Sequence, residues 1–284
     1  MIISVASGKG GTGKTLVATS LALSLRGQGN VQLVDCNVEG PAAHIFLKPA
    51  ISRSEEVLIT VPRVDEGRCT YCGRCAEFCA HGAIGVSGER IVSFPELCHG
   101  CGACSYLCAE SAIFEEERKI GIVEFGHSDG VEFAGGRLSI GELMASLVIR
   151  RVKQYVASTG TVIIDSPSGS SGAMIEAVKD SNFCLLVTEP TPFGFSDLVT
   201  VMEIVKGLNI PCSVVINRAR PGDEKAEEFW RQNDLPVLLT IPLDTGIAGF
   251  YSRGIPLVEG IPEWQQSFIG LFSRIREAVV AGSR

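Results

Sequence analysis

Gly8-Lys9-Gly10-Gly11-Thr12-Gly13-Lys14-Thr15 fits the pattern G-x-x-x-x-G-K-[ST], and the residues on either side of it set the fold class. Glycines let backbone N–H groups converge on phosphate oxygens without Cβ obstruction, and the next helix adds the partial positive charge of its N-terminus. Gly10, Gly11, Thr12 and Gly13 would cradle the phosphates, Lys14 would reach the β- and γ-phosphates, and the Thr15 hydroxyl would ligate Mg²⁺. Upstream, residues Ile2 to Ala6 read as a buried strand. Downstream, Ala18, Leu21, Ala22 and Leu25 recur at helical spacing from about Lys14, and Gly27 and Gly29 supply the stop. Strand, loop and helix are the context this motif requires.

The same alternation continues along the chain. Val31 to Val34 is the next apolar strand and ends at Asp35; a helical pattern over Ile140 to Val156 precedes a strand over Val162–Ile164. A strand over Cys184–Val187 precedes a helix over Ser196–Lys206, and strands over Val214–Ile216 and Leu238–Ile241 complete the series. Short apolar strands alternating with helices predict an α/β fold, a mostly parallel sheet flanked by helices on both faces. Ligands of such sheets bind at the carboxyl ends of the strands.

Residues 62–117 break this rhythm. Of eleven cysteines, eight fall between Cys69 and Cys108, in two runs of spacing C-x2-C-x2-C-x3-C that begin at Cys69 and Cys98. The trailing Ala-Ile recurs in register as well. Such a run resembles bacterial two-cluster ferredoxins, in which the fourth cysteine of each run ligates the other cluster. The resemblance implies one 4Fe-4S cluster on Cys69, Cys72, Cys75 and Cys108, and a second on Cys98, Cys101, Cys104 and Cys79. Ala80 and Ala109 stand where the usual proline follows the fourth cysteine, a change in loop stiffness. The alternative is two Cys₄ zinc sites, which also use C-x2-C pairs. The segment reads as a small α+β ferredoxin-like domain, residues 62–117, inserted into a P-loop ATPase domain formed by 1–61 and 118–284.

Lys9, two residues into the phosphate loop, resembles the signature lysine of the MinD/ParA/Mrp/nitrogenase-iron-protein class, and the resemblance covers the chain outside the insertion. It implies an ATP-bound homodimer in which Lys9 of one subunit reaches the phosphates of the other. Asp165, in Val162-Ile-Ile-Asp165-Ser-Pro-Ser-Gly169, is similar to the Walker B aspartate that holds Mg²⁺ through water. Asn217 and Arg218 resemble the base-recognition turn, and Arg220 stands where guanine-specific relatives place an aspartate, so the implied nucleotide is ATP. Pro242 and Asp244 resemble a second nucleotide-edge segment, although Asn217 and Asp244 are also ordinary capping or turn residues. Relatives read Asp-x-Asp after the second strand, in the segment called switch I; here Asp35-Cys36-Asn37 puts an amide where a carboxylate helps position the attacking water. Lys9, Lys14, Asp35, Asn37 and Asp165 are therefore the candidate catalytic set, with slow hydrolysis expected. Ser168 replaces a second proline in switch II, and Gly172 occupies the place of the cysteine that carries a bridging cluster in some relatives.

Composition narrows the rest. The chain is 45% apolar and 20% charged, with net charge −7 and a pI of about 5.3. No basic cluster suggests nucleic acid, and an acidic surface suits a soluble protein partner, here a redox or iron–sulfur acceptor. No uninterrupted apolar run reaches membrane-spanning length, so no stable membrane insertion is expected. The chain opens without a basic leader, and the expected location is the cytoplasm. Phe268, Leu271, Phe272, Ile275 and Val279 line one face of a C-terminal helix, which should pack on the core. Cys36, Cys184 and Cys212 read as buried thiols and His81 and His99 as exposed residues. Three tasks stay open: ATP-gated electron transfer, Mrp-like cluster delivery, and a redox-reading regulatory switch. Eight ligands in a complete ferredoxin pattern favour retained clusters.

Overall fold

The computed structural model describes residues 1–222 and 235–282. Strands β1 (Ile2–Ala6), β2 (Val31–Asp35), β8 (Thr161–Asp165), β9 (Phe183–Thr188), β10 (Cys212–Ala219) and β11 (Val237–Pro242) lie where the apolar runs predict them. Three further strands join their sheet: β3 (Ala50–Val64), β6 (Ile113–Ser128) and β7 (Val131–Leu138). The described sheet has nine strands in the order β11-β10-β9-β1-β8-β2-β7-β6-β3. From β11 to β7 all neighbours are parallel, whereas β6 is antiparallel to both β7 and β3.

Helices cover both faces. On one side α1 (Lys14–Ser24) is buried along its whole length, packed between the sheet and α10 (Trp264–Gly282), with α8 (Thr245–Ser252) and α9 (Leu257–Gly260) beside it. Phe268, Leu271 and Ile275 of α10 are fully buried in this layer, so the C-terminal apolar face is core. On the other side lie α5 (Ala145–Lys153), α6 (Gly172–Val178) and α7 (Pro192–Gly207). The helix predicted over Ile140–Val156 is confined to α5. Gly141 holds φ at +85° in the approach to it, and Ile140 and Leu143 stand exposed there.

The strands missed in the sequence build the second half of the molecule. β3 pairs with β6 from Ala50↔His127 to Val64↔Ile113, but β6 pairs with β7 only from Gly121 to Ser128. The eight residues of β6 before Gly121 therefore run past the end of β7, and at ~3.4 Å per residue the ribbon projects about 25 Å. It leaves the sheet at the carboxyl ends of β7, β2 and β8, because Leu138 faces Gly121, Gly135 faces Asp35, and Asp35 faces Asp165. Residues 65–112 sit at its tip, with α3 (Arg74–Glu77), α4 (Ala103–Leu107), and the hairpin of β4 (Ile84–Val86) and β5 (Ile91–Ser93). The boundaries expected at 62 and 117 fall inside the two ribbon strands.

Gly121 marks the point where ribbon and sheet meet. A Cβ there would lie 2.6 Å from the Arg137 carbonyl oxygen and 2.9 Å from a Val148 methyl, both held by the core. Gly121→Ala is expected to destabilise the protein by about 1–3 kcal/mol through overpacking, read as a shift in the urea midpoint.

Candidate functional site

The phosphate loop joins β1 to α1, and its geometry rests on one glycine and one amide. Gly13 has φ +99°, in the left-handed region, and a Cβ on it would lie 2.3 Å from Asn217 Nδ2. That nitrogen donates to the Thr12 carbonyl at 2.8 Å, while Asn217 Oδ1 accepts from the Arg218 N–H at 3.0 Å. Asn217 is 4% exposed, so its amide pins the phosphate loop to the end of β10. Lys14 Nζ donates to Ser7 Oγ at 3.0 Å, and burial holds its pKa below the ordinary lysine value. Lys9 pairs with Glu189 at 3.4 Å, and Glu189 also takes Arg218.

Two carboxylates close the floor. Asp35 and Asp165 end adjacent parallel strands and stand opposite each other in register, both fully buried. Asp35 accepts the backbone N–H groups of Asn37 (3.0 Å), Ala42 (3.1 Å) and Ala43 (3.0 Å), which fixes the loop leading into α2 (Ala43–Leu47). Its carboxylate thus shapes switch I. Asn37 bonds the Gly40 carbonyl at 2.8 Å within the same turn. Asp165 Oδ2 accepts from Thr15 Oγ1 at 2.6 Å, and Asp165 Oδ1 is buried with no protein partner. A buried carboxylate oxygen without a donor, beside a threonine hydroxyl, fits a hydrated divalent cation held by Thr15 and Asp165.

The cleft on the far side of the loop gathers Gly13, Asn217, Arg218, Pro242 and Asp244, with Tyr251 added by the structure. Asp244 caps α8, accepting the Ile247 N–H at 2.9 Å, so its side chain is a helix cap at the cleft's rim. Tyr251 carried no sequence signal of its own; it reaches the cleft because α8 starts at that cap.

Residues 65–112 arrange the cysteine repeat as an internal two-fold. Tyr71 and Gly100, Gly73 and Gly102, and Gly82 and Ser111 share positive φ at equivalent positions of the two runs. One cavity is lined by Cys69, Cys72, Cys75 and Cys108, and another by Cys79, Cys98, Cys101 and Cys104, with Cys75 at both. The first cavity thus takes three cysteines from one run and the fourth from the other, and the second takes three from its own run with Cys79, and the shared Cys75, from the other. Backbone N–H groups bond sulfur at matching places: Tyr71 to Cys69 (3.4 Å), Gly100 to Cys98 (3.4 Å), Ala83 to Cys79 (3.2 Å) and Ala112 to Cys108 (3.3 Å). Burial pushes the Cys79 thiol up, but the N–H groups around it outweigh burial and hold it below the ordinary value. Donors of this kind favour thiolate over thiol, as metal–sulfur ligation requires. Among the described residues no three His, Cys, Asp or Glu side chains gather around a single-ion position. His81 and His99 are exposed and stack at 3.6 Å beside the second cavity. Burial raises the thiols of Cys184 to about 12 and Cys212 to about 11, and raises Cys36 too, so these three behave as inert side chains.

Burial, with Asp35 adding to it, raises the Asp165 pKa to about 7 from an ordinary 3.8. A raised folded-state pKa stabilises the fold below the unfolded value and loses that contribution as pH climbs through the folded one. The metal-free protein should therefore lose thermal stability between about pH 4 and about pH 7, and Asp165→Asn should flatten this dependence in a differential-scanning series. Equal slopes in both proteins would refute the assignment.

The sequence pattern of the CobQ/CobB/MinD/ParA nucleotide binding domain matches residues 3–257. An uncharacterized protein of Methanocaldococcus jannaschii is 30% identical over 89% of this chain and 90% of its own. The iron-sulfur cluster carrier protein of Aquifex aeolicus is 22% identical over 92% of this chain and 63% of its own length. Among solved structures, the septum site-determining protein MinD of Pyrococcus horikoshii, complexed with Mg-ADP, superposes with TM-score 0.59 at 22% identity, covering 96% of this chain and 95% of that one. The phosphate loop, the paired strand-end carboxylates and this match across most of the length make the chain a member of the CobQ/CobB/MinD/ParA nucleotide-binding domain family.

Proposed function

We propose that the protein is a Mg-ATP-dependent, slowly hydrolysing switch that works as an ATP-bound homodimer and governs electron transfer through two 4Fe-4S clusters. The observation that carries this reading is the crossed lining of two cavities by eight cysteines, on a ribbon that leaves the sheet at its nucleotide-binding edge. Four thiolates around a cavity suit a cubane, which bonds one iron per thiolate, and the four N–H···S contacts suit its sulfur ligands. Lys14, Thr15 and Asp165 would hold the phosphates and the magnesium, which supplies charge stabilisation at the transferred phosphoryl group. Lys9 now rests on Glu189 within its own chain; in the dimer it would exchange this partner for the other subunit's nucleotide.

Asn37 sets the expected rate. Its amide is committed to the Gly40 carbonyl and accepts no proton from water. Turnover by the native protein should be slow, and Asn37→Asp should raise kcat by about a hundredfold, the low end of what a positioned base contributes. Rapid native hydrolysis that does not increase on this substitution would overturn the assignment.

Anaerobically purified protein should carry about eight irons and about eight sulfides per chain, with visible absorbance that bleaches on reduction. Cys79→Ser should remove about half of the iron and spare the set of Cys69, Cys72, Cys75 and Cys108. Colourless protein holding stoichiometric zinc would sink the cluster assignment.

A second reading, delivery of clusters to another protein, is favoured by the likeness to the Aquifex aeolicus iron-sulfur cluster carrier. Reduced protein mixed with an apo-acceptor and ATP separates the two. Electron transfer leaves the donor's iron in place; delivery moves iron to the acceptor in stoichiometric amount.

A further inference from the structure

Arg118 stands on the ribbon three residues before Gly121, and three parts of the molecule meet at its guanidinium. It pairs with Glu142, in the loop that follows β7, and its Nη2 donates to the Pro95 carbonyl at 2.9 Å. The same carbonyl accepts the Cys98 N–H at 3.1 Å, so Arg118 touches the turn that presents the first cysteine of the second run. On the other side, the loop bearing Glu142 is tied to switch I. The Leu138 N–H donates to the Val38 carbonyl at 2.8 Å, one residue after Asn37, and the Ser139 N–H donates to the Ile120 carbonyl at 2.9 Å. The Glu142 N–H closes the loop on the Ser139 carbonyl at 3.1 Å.

The pair is costly for what it contributes to stability. The Arg118 and Glu142 side chains are 20% and 10% exposed, yet Arg118 Nε and Glu142 Oε2 are buried without partners. A buried ion pair with unmet donors and acceptors stabilises little against apolar residues of the same volume. Its geometric effect is large, since it is an ionic clasp between the loop after β7, the ribbon and the cysteine segment. Resting on the functional reading above, we propose that Arg118 is a positioning residue: it transmits the state of switch I, through Val38, Leu138 and Glu142, to the Pro95–Cys98 turn. Nucleotide binding would then alter the setting of the second cysteine set, to which Cys98 belongs and whose cavity Thr60, Val61 and Glu115 of the ribbon also line.

The test uses the full chain, purified anaerobically, with magnesium and a non-hydrolysable ATP analogue. Iron content and the analogue-induced rise in Tm are measured first; protein that holds no iron, or is not stabilised by the analogue, defeats the functional reading and this proposal with it. In wild-type protein the analogue should shift the midpoint potential of one cluster and change amide exchange in the peptide spanning residues 94–101. Arg118→Met should abolish both responses while iron content and the Tm rise stay at wild-type levels. Glu142→Gln, which keeps the side-chain shape and loses the charge, should do the same and serves if Arg118→Met loads poorly. Wild-type protein that binds both ligands and shows neither response, or variants that respond as wild type does, would overturn the role of Arg118 and leave the functional reading standing.

Discussion

Asp35 and Asp165 face each other at the ends of adjacent parallel strands, wholly buried, with the buried ammonium of Lys14 nearby. Two carboxylates and a lysine taken out of water this close together are costly, and the surrounding structure exists to offset that cost. Three backbone N–H groups hold Asp35, the Thr15 hydroxyl holds Asp165, and Ser7 holds Lys14. Each of these partners lies in the loop that follows a strand or in the first turn of the helix it leads to. The register of β1, β8 and β2 must therefore be kept, and their mostly apolar residues, covered by helices on both faces, keep it. The oxygen left over, Asp165 Oδ1, points to the ligand that the site is built around.

The ribbon solves a second problem, how to hold a segment that has almost no core of its own. The only apolar cluster described within the cysteine-bearing end comprises Val61, Ala83 and Cys98, with Ile59 and Cys79 against it. A segment that buries so little relies on cross-links, and eight thiols lining two cavities offer them. The ribbon contributes an anchor that needs no core, an antiparallel ladder from Ala50 to Val64 with register shifts at Ile51/Arg53 and Val57/Leu58. Because the ladder passes the carboxyl edge of the sheet, the segment stands on the same side as the phosphate loop, separated laterally by the widths of β8, β2 and β7, about 20 Å from β1 to β6.

Several residues change meaning between the two levels. Asn217 reads as an adenine contact in the sequence, and in the fold its amide bonds the phosphate loop itself. Asp244 reads as a nucleotide-edge residue and caps a helix at the cleft's rim. Asp35 reads as part of a catalytic pair and organises switch I through backbone donors. In each case the short polar side chain has more than one partner within reach, and local sequence does not say which is nearer. β3 and β6 escaped the sequence reading for a different reason: their runs of Glu, Arg and Lys alternate with apolar residues on a ribbon exposed along much of its length, and they lack the apolar block that marks an inner parallel strand.

What the sequence determined by itself is whatever depends on fixed spacing along the chain. The phosphate loop, the helix it opens, the inner strands and the two cysteine runs are of this kind, since spacing limits which backbone donors or thiols can converge; the crossed partners of the runs were implied by the resemblance to two-cluster ferredoxins. What only the tertiary structure decided is whatever depends on contacts between distant segments. The two cavities lie along a ribbon from the nucleotide edge, Lys9 rests on Glu189, and Arg118 joins Glu142 to Pro95 across a strand, a loop and a turn. Those partners are distant in the chain: the pairing of β1 with β9 brings Lys9 to Glu189, and the register of β6 and β7 brings Arg118 to Glu142.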